Sequence, residues 1–394
     1  MRAFILKLAV CLVMCSKVVG SPTSKAVPTV APTPPTIAAN AYLLLDSNSN
    51  KILAEKNSTV KVEPASLTKI MTMYIIDSEL KAGKIKLTDE VTISKNAWKA
   101  TGTRMFVQVG STVKVEDLIK GIIIQSGNDA SIAMAEHIAG SEQVFADLMN
   151  QYAQQLGMYD SHFVNATGLP DKEHLTTAHD MGILARAIIR NFPHTYKLYS
   201  EKEFTHNGIK QINRNKLLWR NSMVDGIKTG HTDSAGYCLV ASAMDNNGMR
   251  LISIVLGTKS DNARTEEANK LLNWGFRFYE TQLVLKQTDA LQEARIWMGN
   301  KKRVPVGFNE DLYITTVRGD YKKYTATTTV LSMLKAPINK GDVVGTYAVQ
   351  NASKETILEQ PIVALVNIPK GNVWQRGRDY VRLKVKSVYA KYST

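Results

Sequence analysis

The chain is short of cysteine. It has three among 394 residues, and two of them, Cys11 and Cys15, lie in an apolar run at the N-terminus. Without that run Cys238 is left alone, so a framework of disulfide bonds is excluded. The apolar neighbours Tyr237 and Leu239 favour a buried strand thiol at Cys238 over a reactive one.

Motifs for cofactors and nucleic acids are also lacking. The histidines show no metal-ligand spacing with the cysteines or with each other, and there is no glycine-rich phosphate loop. We therefore expect no metal and no other cofactor. The net charge of +14 suits nucleic acid, an anionic membrane surface or a polyanionic substrate. Aromatic residues are not interleaved with the basic ones, so we expect no nucleic-acid partner.

The N-terminal apolar run is too short to span a bilayer. Residues 1–20 have instead the pattern of a secretory signal, with Arg2 and Lys7 at the positive end and small residues leading up to Gly20. Cleavage after Gly20 fits this pattern, and cleavage as late as Ala26 is the alternative. We therefore expect the protein to be exported.

The remaining chain divides by composition. Residues 21–37 hold five of the twelve prolines, separated mainly by Ser, Thr and Ala, which predicts an extended linker. Residues 38–281 have strand patterns at both ends and helix patterns between them, which predicts an α/β sandwich with helices around one sheet. Residues 282–371 consist of short β-rich segments separated by turns, which predicts a small all-β domain.

The last segment, residues 372–394, is basic, with six Lys and Arg against one Asp. At helical period it has an apolar face, on which Arg378 intrudes, and the other faces are mostly basic. The face consists of Trp374, Val381, Val385, Val388, Tyr389 and Tyr392. Strict alternation from Val381 to Lys386 predicts a strand instead, and a disordered tail is a third interpretation. We favour an amphipathic helix that anchors the protein to anionic membrane lipid.

The leading candidate for chemistry is the pair Ser66 and Lys69, at the predicted start of a buried helix. Residues that are three positions apart on a helix have their side chains on the same face. Serine alone is a poor nucleophile, and an adjacent neutral amine supplies a base. The pattern itself is common. Ser332 and Lys335 repeat it within a β-rich segment, where we interpret it as a chance match.

Two further patterns follow in chain order. Ser126-Gly127-Asn128 closes a predicted helix, and Lys228-Thr229-Gly230 lies on a predicted strand. Each pattern is weak alone. Together with Ser66 and Lys69, their order and placement are hard to obtain by chance.

The ordered set resembles that of the penicillin-binding, serine-active-site enzymes. Four stretches resemble their low-molecular-mass D-alanyl-D-alanine carboxypeptidase branch, of the penicillin-binding protein 5 and 6 type: 63–69, 125–130, 224–232 and 273–277. The resemblance extends from about Ala39 to the C-terminus. Ser260-Asp261-Asn262 also matches the second pattern, but it follows the third, out of the family's order, so we expect a surface loop there.

This resemblance implies a serine β-lactamase/DD-peptidase-like sandwich with helices around an antiparallel sheet, an all-β domain and an amphipathic segment. It implies an exported hydrolase at the periplasmic face of the bacterial inner membrane. The enzyme would remove the terminal D-Ala from peptidoglycan pentapeptide stems through a Ser66 acyl-enzyme, in cell wall maturation and cell shape. Penicillin-type β-lactams would acylate Ser66 because they mimic the acyl-D-Ala-D-Ala terminus.

Acyl transfer then gives each candidate a role. Ser66 would be the nucleophile and Lys69 the general base. Lys69 must be neutral for this, so its pKa must be lowered by burial and by the charge of Lys228. Ser126 would relay protons, and with Asn128 it would hold the substrate amide. Which group activates the deacylating water is left open, with Lys69 as the simplest choice.

The oxyanion needs two preorganised N–H donors. The backbone N–H of Ser66, at the start of a helix, is one, and the resemblance implies that of His231 as the other. By the same resemblance, Asp180 corresponds to a residue that positions the histidine at 231. For both Asp180 and His231 the alternative is a purely structural role. Arg104 lies in a loop that borders the site, and we interpret it as a solvated loop arginine. The substrate and its carboxylate would be held by four residues: Lys228, Thr229, Gly230 and Arg264.

Three alternatives share the predicted fold. A class A β-lactamase needs a deacylating Glu between Asn128 and Lys228. Candidates there are few, and Glu173 lacks the Leu-Asn expected after it. A non-catalytic wall-binding protein on this fold would not need the intact set. An endopeptidase for D-Ala–diaminopimelate cross-links would use similar bond chemistry.

Overall fold

The computed structural model of the protein covers residues 32–392, with side chains as far as residue 385. The predicted signal segment 1–20 and the first part of the predicted linker lie outside the described residues.

Nine helices occur in residues 32–392: α1 (Lys69–Lys81), α2 (Lys95–Trp98), α3 (Val115–Lys120), α4 (Asn128–Ala139), α5 (Glu142–Leu156), α6 (Ala178–Asn191), α7 (Leu217–Arg220), α8 (Asp261–Phe278) and α9 (Val373–Tyr392). Short 3₁₀ turns span Ala65–Thr68, Thr195–Ser200 and Tyr321–Lys323, and a π-helical turn spans Gly121–Gln125.

The same residues form seventeen strands: β1 (Ala41–Asp46), β2 (Ile52–Lys56), β3 (Glu90–Thr92), β4 (Thr112–Lys114), β5 (Glu203–His206), β6 (Ile209–Ile212), β7 (Val224–Thr232), β8 (Gly236–Met244), β9 (Arg250–Thr258), β10 (Tyr279–Leu285), β11 (Gln292–Trp297), β12 (Arg303–Gly307), β13 (Leu312–Val317), β14 (Thr325–Val330), β15 (Leu334–Lys335), β16 (Val343–Gln350) and β17 (Thr356–Ala364).

The central sheet is antiparallel, in the order β2-β1-β9-β8-β7, and has a core on each face. Successive residues of β1 alternate between the two cores, because strand side chains point to opposite faces. Leu43 and Leu45 join the core that contains α1 and α3–α6, whereas Tyr42 and Leu44 join the core that contains α8. The predicted α/β sandwich is confirmed.

Helix α1 lies inside the larger core. Its residues Ile70 to Ile76 are almost fully buried on all faces, as expected for a helix that is apolar all round. A 3₁₀ turn precedes it, and Gly83 follows it with a left-handed φ of +71°. Ser66 lies on the turn and Lys69 is the first residue of α1, so the packing of this helix fixes the position of the pair.

One local prediction changed. Helix α8 starts at Asp261, because the Ser260 side chain caps it by accepting a hydrogen bond from the Ala263 N–H at 3.1 Å. The prediction of a surface loop at Ser260-Asp261-Asn262 was therefore wrong. The helix predicted before Ser126-Gly127-Asn128 is α3 continued by the π-helical turn, which carries the chain to Ser126.

The C-terminal part of the chain is all-β, as predicted. A six-stranded sheet runs in the order β14-β16-β17-β12-β11-β15, and β10 pairs with β13 beside it. The chain then forms α9, which confirms the favoured helix and excludes the strand interpretation. Asp379 fastens α9 to the β domain by accepting a hydrogen bond from the Met298 N–H at 2.9 Å. Within residues 32–392 no helix combines the length and apolarity needed to cross a bilayer.

Candidate active site

The structure brings Ser66 and Lys69 together. The Lys69 Nζ lies 3.2 Å from the Ser66 Oγ, because the 3₁₀ turn and the first residue of α1 present both side chains on one side. The Lys69 amine also donates to the Asn128 Oδ1 at 2.7 Å and to the backbone carbonyl of Thr167 at 2.6 Å. These three partners are uncharged, so none of them is a direct counter-ion for the ammonium form.

Burial lowers the pKa of Lys69 to about 7. Desolvation is the largest cause, and the positive charge of Arg214 adds to it. The carboxylates of Asp129 and Glu142 oppose the shift. A large fraction of the amine is therefore neutral near pH 7, which is the state that a general base requires.

The second pattern completes this side of the site. Ser126 follows the π-helical turn in a left-handed conformation with a φ of +67°, and Asn128 is the first residue of α4. Non-glycine residues in this region are strained and are common at functional sites. The Asn128 amide bridges the site, because its Nδ2 donates to the Thr101 carbonyl at 2.6 Å. Within the described part of the chain, the buried Ser126 hydroxyl has no hydrogen-bond partner.

The third pattern lies on β7, directly against the 3₁₀ turn that carries Ser66. A Cβ placed on Gly230 would lie 3.1 Å from the Pro64 carbonyl oxygen and 3.3 Å from the Ala65 Cβ. Lys228 is buried, and its Nζ donates to the Thr229 carbonyl at 3.0 Å. Its pKa is well below the usual value, because it is desolvated first and also lies near the cations Lys69, Arg214 and Arg264.

A cleft of about 580 Å³ adjoins the end of β7. His231 and Arg264 line it, together with Arg214 and Lys216. The Arg264 Nη1 donates to the Gly230 carbonyl at 2.9 Å, and its Nη2 pairs with Asp261. The cleft therefore holds more positive than negative charge beside the third pattern, which favours an anionic group.

One predicted residue, Asp180, lies away from the site. Asp180, in the first turn of α6, accepts hydrogen bonds from the Asp160 N–H at 3.1 Å and the Ser161 hydroxyl at 2.7 Å. Its contacts within residues 32–392 do not include His231, whose ring instead packs on Tyr237 with centroids 3.9 Å apart. The Asp180 carboxylate therefore holds the loop before α6 in place.

Arg104 lies near Asn128, in the loop before β4. Its guanidinium is 5.3 Å from the centre of the partly exposed Phe106 ring. The backbone of this loop is held by Asp129, whose carboxylate accepts hydrogen bonds from the Met105 and Phe106 N–H groups at 2.9 and 2.8 Å. Asp129 thus fixes the loop that borders the site.

Sequence analysis missed Thr167, Glu142 and Arg214. Thr167 acts through its backbone carbonyl, which no residue type can signal. Glu142 accepts a hydrogen bond from the Ala166 N–H at 3.0 Å and so holds the same loop. Arg214 donates to the Gln125 carbonyl at 3.2 Å. The surrounding Asn213-Arg214-Asn215 has polar turn residues but no spacing that points to the site.

Comparisons with known proteins place the chain in a family. Residues 28–260 match the family described as D-alanyl-D-alanine carboxypeptidase, peptidase S11. Residues 279–370 match the C-terminal domain of penicillin-binding protein 5. The chain belongs to the D-alanyl-D-alanine carboxypeptidase family, which confirms the predicted family, fold and enzyme class.

The similarity covers nearly the full chain. The D-alanyl-D-alanine carboxypeptidase DacA of Escherichia coli K12 is 47% identical over 364 residues, 90% of this chain and 90% of that protein. The crystal structure of penicillin-binding protein 5 from Haemophilus influenzae is 42% identical, with a TM-score of 0.80 over 86% of this chain and 99% of that one.

A solved structure with a bound β-lactam is also similar. The ampicillin-bound penicillin-binding protein D2 of Listeria monocytogenes is 28% identical, with a TM-score of 0.56. It covers 61% of this chain and 98% of its own. The shared region thus corresponds in extent to the catalytic sandwich rather than to the whole chain.

Proposed function

We propose that the protein is an exported serine-type carboxypeptidase that removes the terminal D-Ala from peptidoglycan pentapeptide stems, in cell wall maturation. The observation that carries the proposal is the buried Lys69 amine, with a pKa of about 7, at 3.2 Å from the Ser66 hydroxyl. Family membership supports the reaction, since relatives across 90% of the chain are named D-alanyl-D-alanine carboxypeptidases.

In the acylation step, the Ser66 hydroxyl gives its proton to the neutral Lys69 amine as the oxygen attacks the carbonyl between the two D-alanines. The N–H groups of Ser66 and His231 stabilise the oxyanion. The amide bond then breaks, and the leaving amine takes a proton from Lys69 through the Ser126 hydroxyl. An ester between Ser66 and the shortened stem remains, and D-Ala departs.

The carboxylate of the leaving D-Ala lies toward the basic cleft beside the end of β7. Thr229 offers a hydroxyl there, Lys228 offers the N–H donors of its amine, and Arg264 supplies positive charge. Gly230 lets the strand approach the nucleophile turn closely, so that the substrate is held between them. Asn128, which already bonds Lys69, orients the substrate amide on the other side.

In the deacylation step, Lys69 takes a proton from water as the water oxygen attacks the ester carbonyl. The ester bond to Ser66 then breaks, Lys69 returns the proton to the Ser66 oxygen, and the shortened stem leaves as a free acid. The position against Lys69 is filled by the Thr167 carbonyl, and Lys69 has no carboxylate hydrogen-bonded to it within residues 32–392. Glu173, the candidate for a β-lactamase base, is exposed, and its N–H donates to Asp171. These contacts favour a carboxypeptidase that penicillins acylate and that releases them slowly.

The test is D-Ala release from a synthetic pentapeptide. Ser66→Ala should abolish release and acylation by a fluorescent penicillin. Ser332→Ala, at the exposed serine of the second Ser-x-x-Lys pattern, is the matched control and should retain both. Release by Ser66→Ala, or rapid steady hydrolysis of penicillin by the wild type, would overturn the proposal.

We also propose that α9 binds anionic lipid at the periplasmic face of the inner membrane. Three of its apolar residues are exposed, with Trp374 at 87%, Val381 at 60% and Val385 at 48%. Basic residues such as Arg376 and Arg382 flank this face, which suits an interfacial helix. The β domain separates α9 from the catalytic sandwich and would raise the site toward the wall.

Vesicle co-sedimentation tests this second proposal. The full chain should bind phosphatidylglycerol vesicles and bind phosphatidylcholine vesicles much less. Deletion of 372–394 should abolish binding while D-Ala release from the soluble peptide is retained. Equal binding to both vesicle types would contradict the role of anionic lipid, and binding by the deletion variant would contradict the role of α9.

A further inference from the structure

We propose that His174 is a positioning residue that sets the geometry of Ser66, acting through Thr68 and the backbone carbonyl of Ala65. The inference rests on the proposed function, because the property that it controls is the reactivity of Ser66. It concerns a residue that takes no part in the steps described above.

The turn that carries Ser66 needs to be held in place. Ala65, directly before the nucleophile, has a φ of +48°, in the left-handed region that residues with a Cβ rarely adopt. Such a conformation persists only where the surroundings enforce it. The side chain and backbone of Ala65 set the direction from which Ser66 enters the site, so contacts on Ala65 control the nucleophile.

Thr68 holds the Ala65 carbonyl. Its buried hydroxyl donates to the Ala65 oxygen at 2.8 Å, across the single turn that contains Ser66. The same hydroxyl lies 2.8 Å from the Nε2 of His174. A threonine hydroxyl has one proton. Because that proton is directed to Ala65, the hydroxyl must accept its second hydrogen bond from His174.

The tautomer of His174 is fixed by its other nitrogen. The Nδ1 accepts a hydrogen bond from the Val164 N–H at 3.2 Å, so the ring proton belongs on Nε2, where it faces Thr68. The ring is almost fully buried, and burial lowers the pKa of His174 to about 4, which keeps it neutral at physiological pH. The direction of each hydrogen bond from Val164 to Ala65 is therefore determined.

The segment 163–176, here called the 163–176 loop, reaches the catalytic pair at two more points. The Thr167 carbonyl accepts a hydrogen bond from Lys69. Gly168 is packed so closely that a Cβ there would lie 1.8 Å from the Ala65 oxygen. One loop thus contacts both the residue before the nucleophile and the base. His174 supplies the side-chain contact that aligns the loop with the turn.

The experiment compares His174→Leu, which removes the donor, with His174→Gln, which keeps an N–H donor. The readout is the acylation rate of a fluorescent penicillin per folded molecule. We expect His174→Leu to slow acylation about 10- to 100-fold, as a small misplacement of a reacting group does. His174→Gln should recover to within roughly 3-fold of the wild type, about the effect of one weakened hydrogen bond.

Thr68→Val and Thr68→Ser form a second pair, which tests the same contact if His174→Leu does not fold. Thr68→Val should slow acylation and Thr68→Ser should preserve it. Because the residues act in series, the double variant of His174→Leu and Thr68→Val should be no slower than the slower single variant. His137→Leu, at an exposed histidine on α4, is the control and should match the wild type.

Acylation of His174→Leu at the wild-type rate would overturn the inference. So would a failure of His174→Gln to recover, since a purely structural role predicts equal loss in both variants per folded molecule. The proposed function is judged separately, by wild-type D-Ala release. Release by the wild type with no effect of His174→Leu rejects the positioning role alone. Absence of release, with a slowed acylation in His174→Leu, rejects the carboxypeptidase alone.

Discussion

The Ser-x-x-Lys pattern occurs twice in this chain, in two different surroundings. Lys69 is fully buried at the start of α1, and its amine lies beside Ser66. Lys335 ends the two-residue strand β15 with an exposed side chain, and Ser332 is exposed before it. Ser332 lies in a turn before the strand, so no helical turn aligns the two side chains. The pattern alone therefore does not bring an amine to a serine hydroxyl; the helical turn at Ser66 does, and burial lowers the pKa of the amine.

Replacement of the two lysines tests this comparison most strongly. Lys69→Met keeps the length of the side chain and removes the base, so acylation and D-Ala release should fall by about 10²- to 10⁴-fold. Lys335→Met should leave both rates unchanged. The rates are measured with a fluorescent penicillin and a pentapeptide. Comparable losses in the two variants would mean that the surroundings of Lys69 are not what makes it reactive.

The pH profile shows whether burial of Lys69 has a chemical consequence. Lys69 must be deprotonated to act as a base, so kcat/KM should rise with pH through about 7, the pKa of this amine. Glu142 raises that pKa and Arg214 lowers it. Glu142→Gln should therefore move the rise to lower pH, and Arg214→Gln should move it to higher pH. The rates at pH 6 should change in opposite directions by about two- to five-fold.

The exposed Glu116 provides a matched control for this pair, since Glu116→Gln should leave the profile in place. A rise in kcat/KM near the pKa of an ordinary lysine would contradict the assignment of Lys69. Shifts of the same sign in Glu142→Gln and Arg214→Gln would mean that disturbed packing, rather than charge, moves the profile.

A second buried ionisable group on α1 sharpens the comparison through stability. Burial raises the pKa of Asp77 to about 7, with the nearby Thr195 hydroxyl opposing the shift. Neither carboxylate oxygen has a partner in hydrogen-bonding geometry within residues 32–392. The pKa of Asp77 in the folded protein exceeds the unfolded value of 3.8. The buried, ionised carboxylate therefore destabilises the fold fully above about pH 7, and this destabilisation is lost as the pH falls toward 3.8.

Asp77→Asn should therefore raise the free energy of unfolding by about 1–3 kcal/mol at pH 8 and by less at pH 5. Chemical denaturation at both pH values measures the difference, with no change expected in the acylation rate. An equal effect at the two pH values would show that Asp77 does not titrate as its burial implies.

Sequence alone predicted the residues that the structure brings together in the candidate site. The spacing of Ser66 and Lys69, the Ser126 turn and the strand at Lys228 follow from local periodicity, and the structure brings them together. Glu142 and Arg214 were missed, because their effect on Lys69 depends on distances that only the tertiary fold sets. Asp180 received a role by resemblance, and the structure gives it contacts with the loop before α6 instead.

The helices α8 and α9 also show which features the local sequence can predict and which depend on the tertiary fold. The helix cap at Ser260 was available in the sequence, but its match to a catalytic pattern led us to expect a loop. In the tail, alternation from Val381 competed with the helical pattern, and α9 prevailed. Asp379 on α9 is buried against the β domain. The periodicity of the sequence cannot predict such a tertiary contact.

The Thr167 carbonyl has an evolutionary consequence. It occupies the position against Lys69 where a carboxylate could serve as a second base, and it belongs to the backbone. No substitution at Thr167 can exchange it for an acid, and Gly168 beside it has no room for a side chain. Substitution at these two positions therefore leaves Lys69 facing a backbone carbonyl, and an acid beside this amine would have to come from another part of the chain.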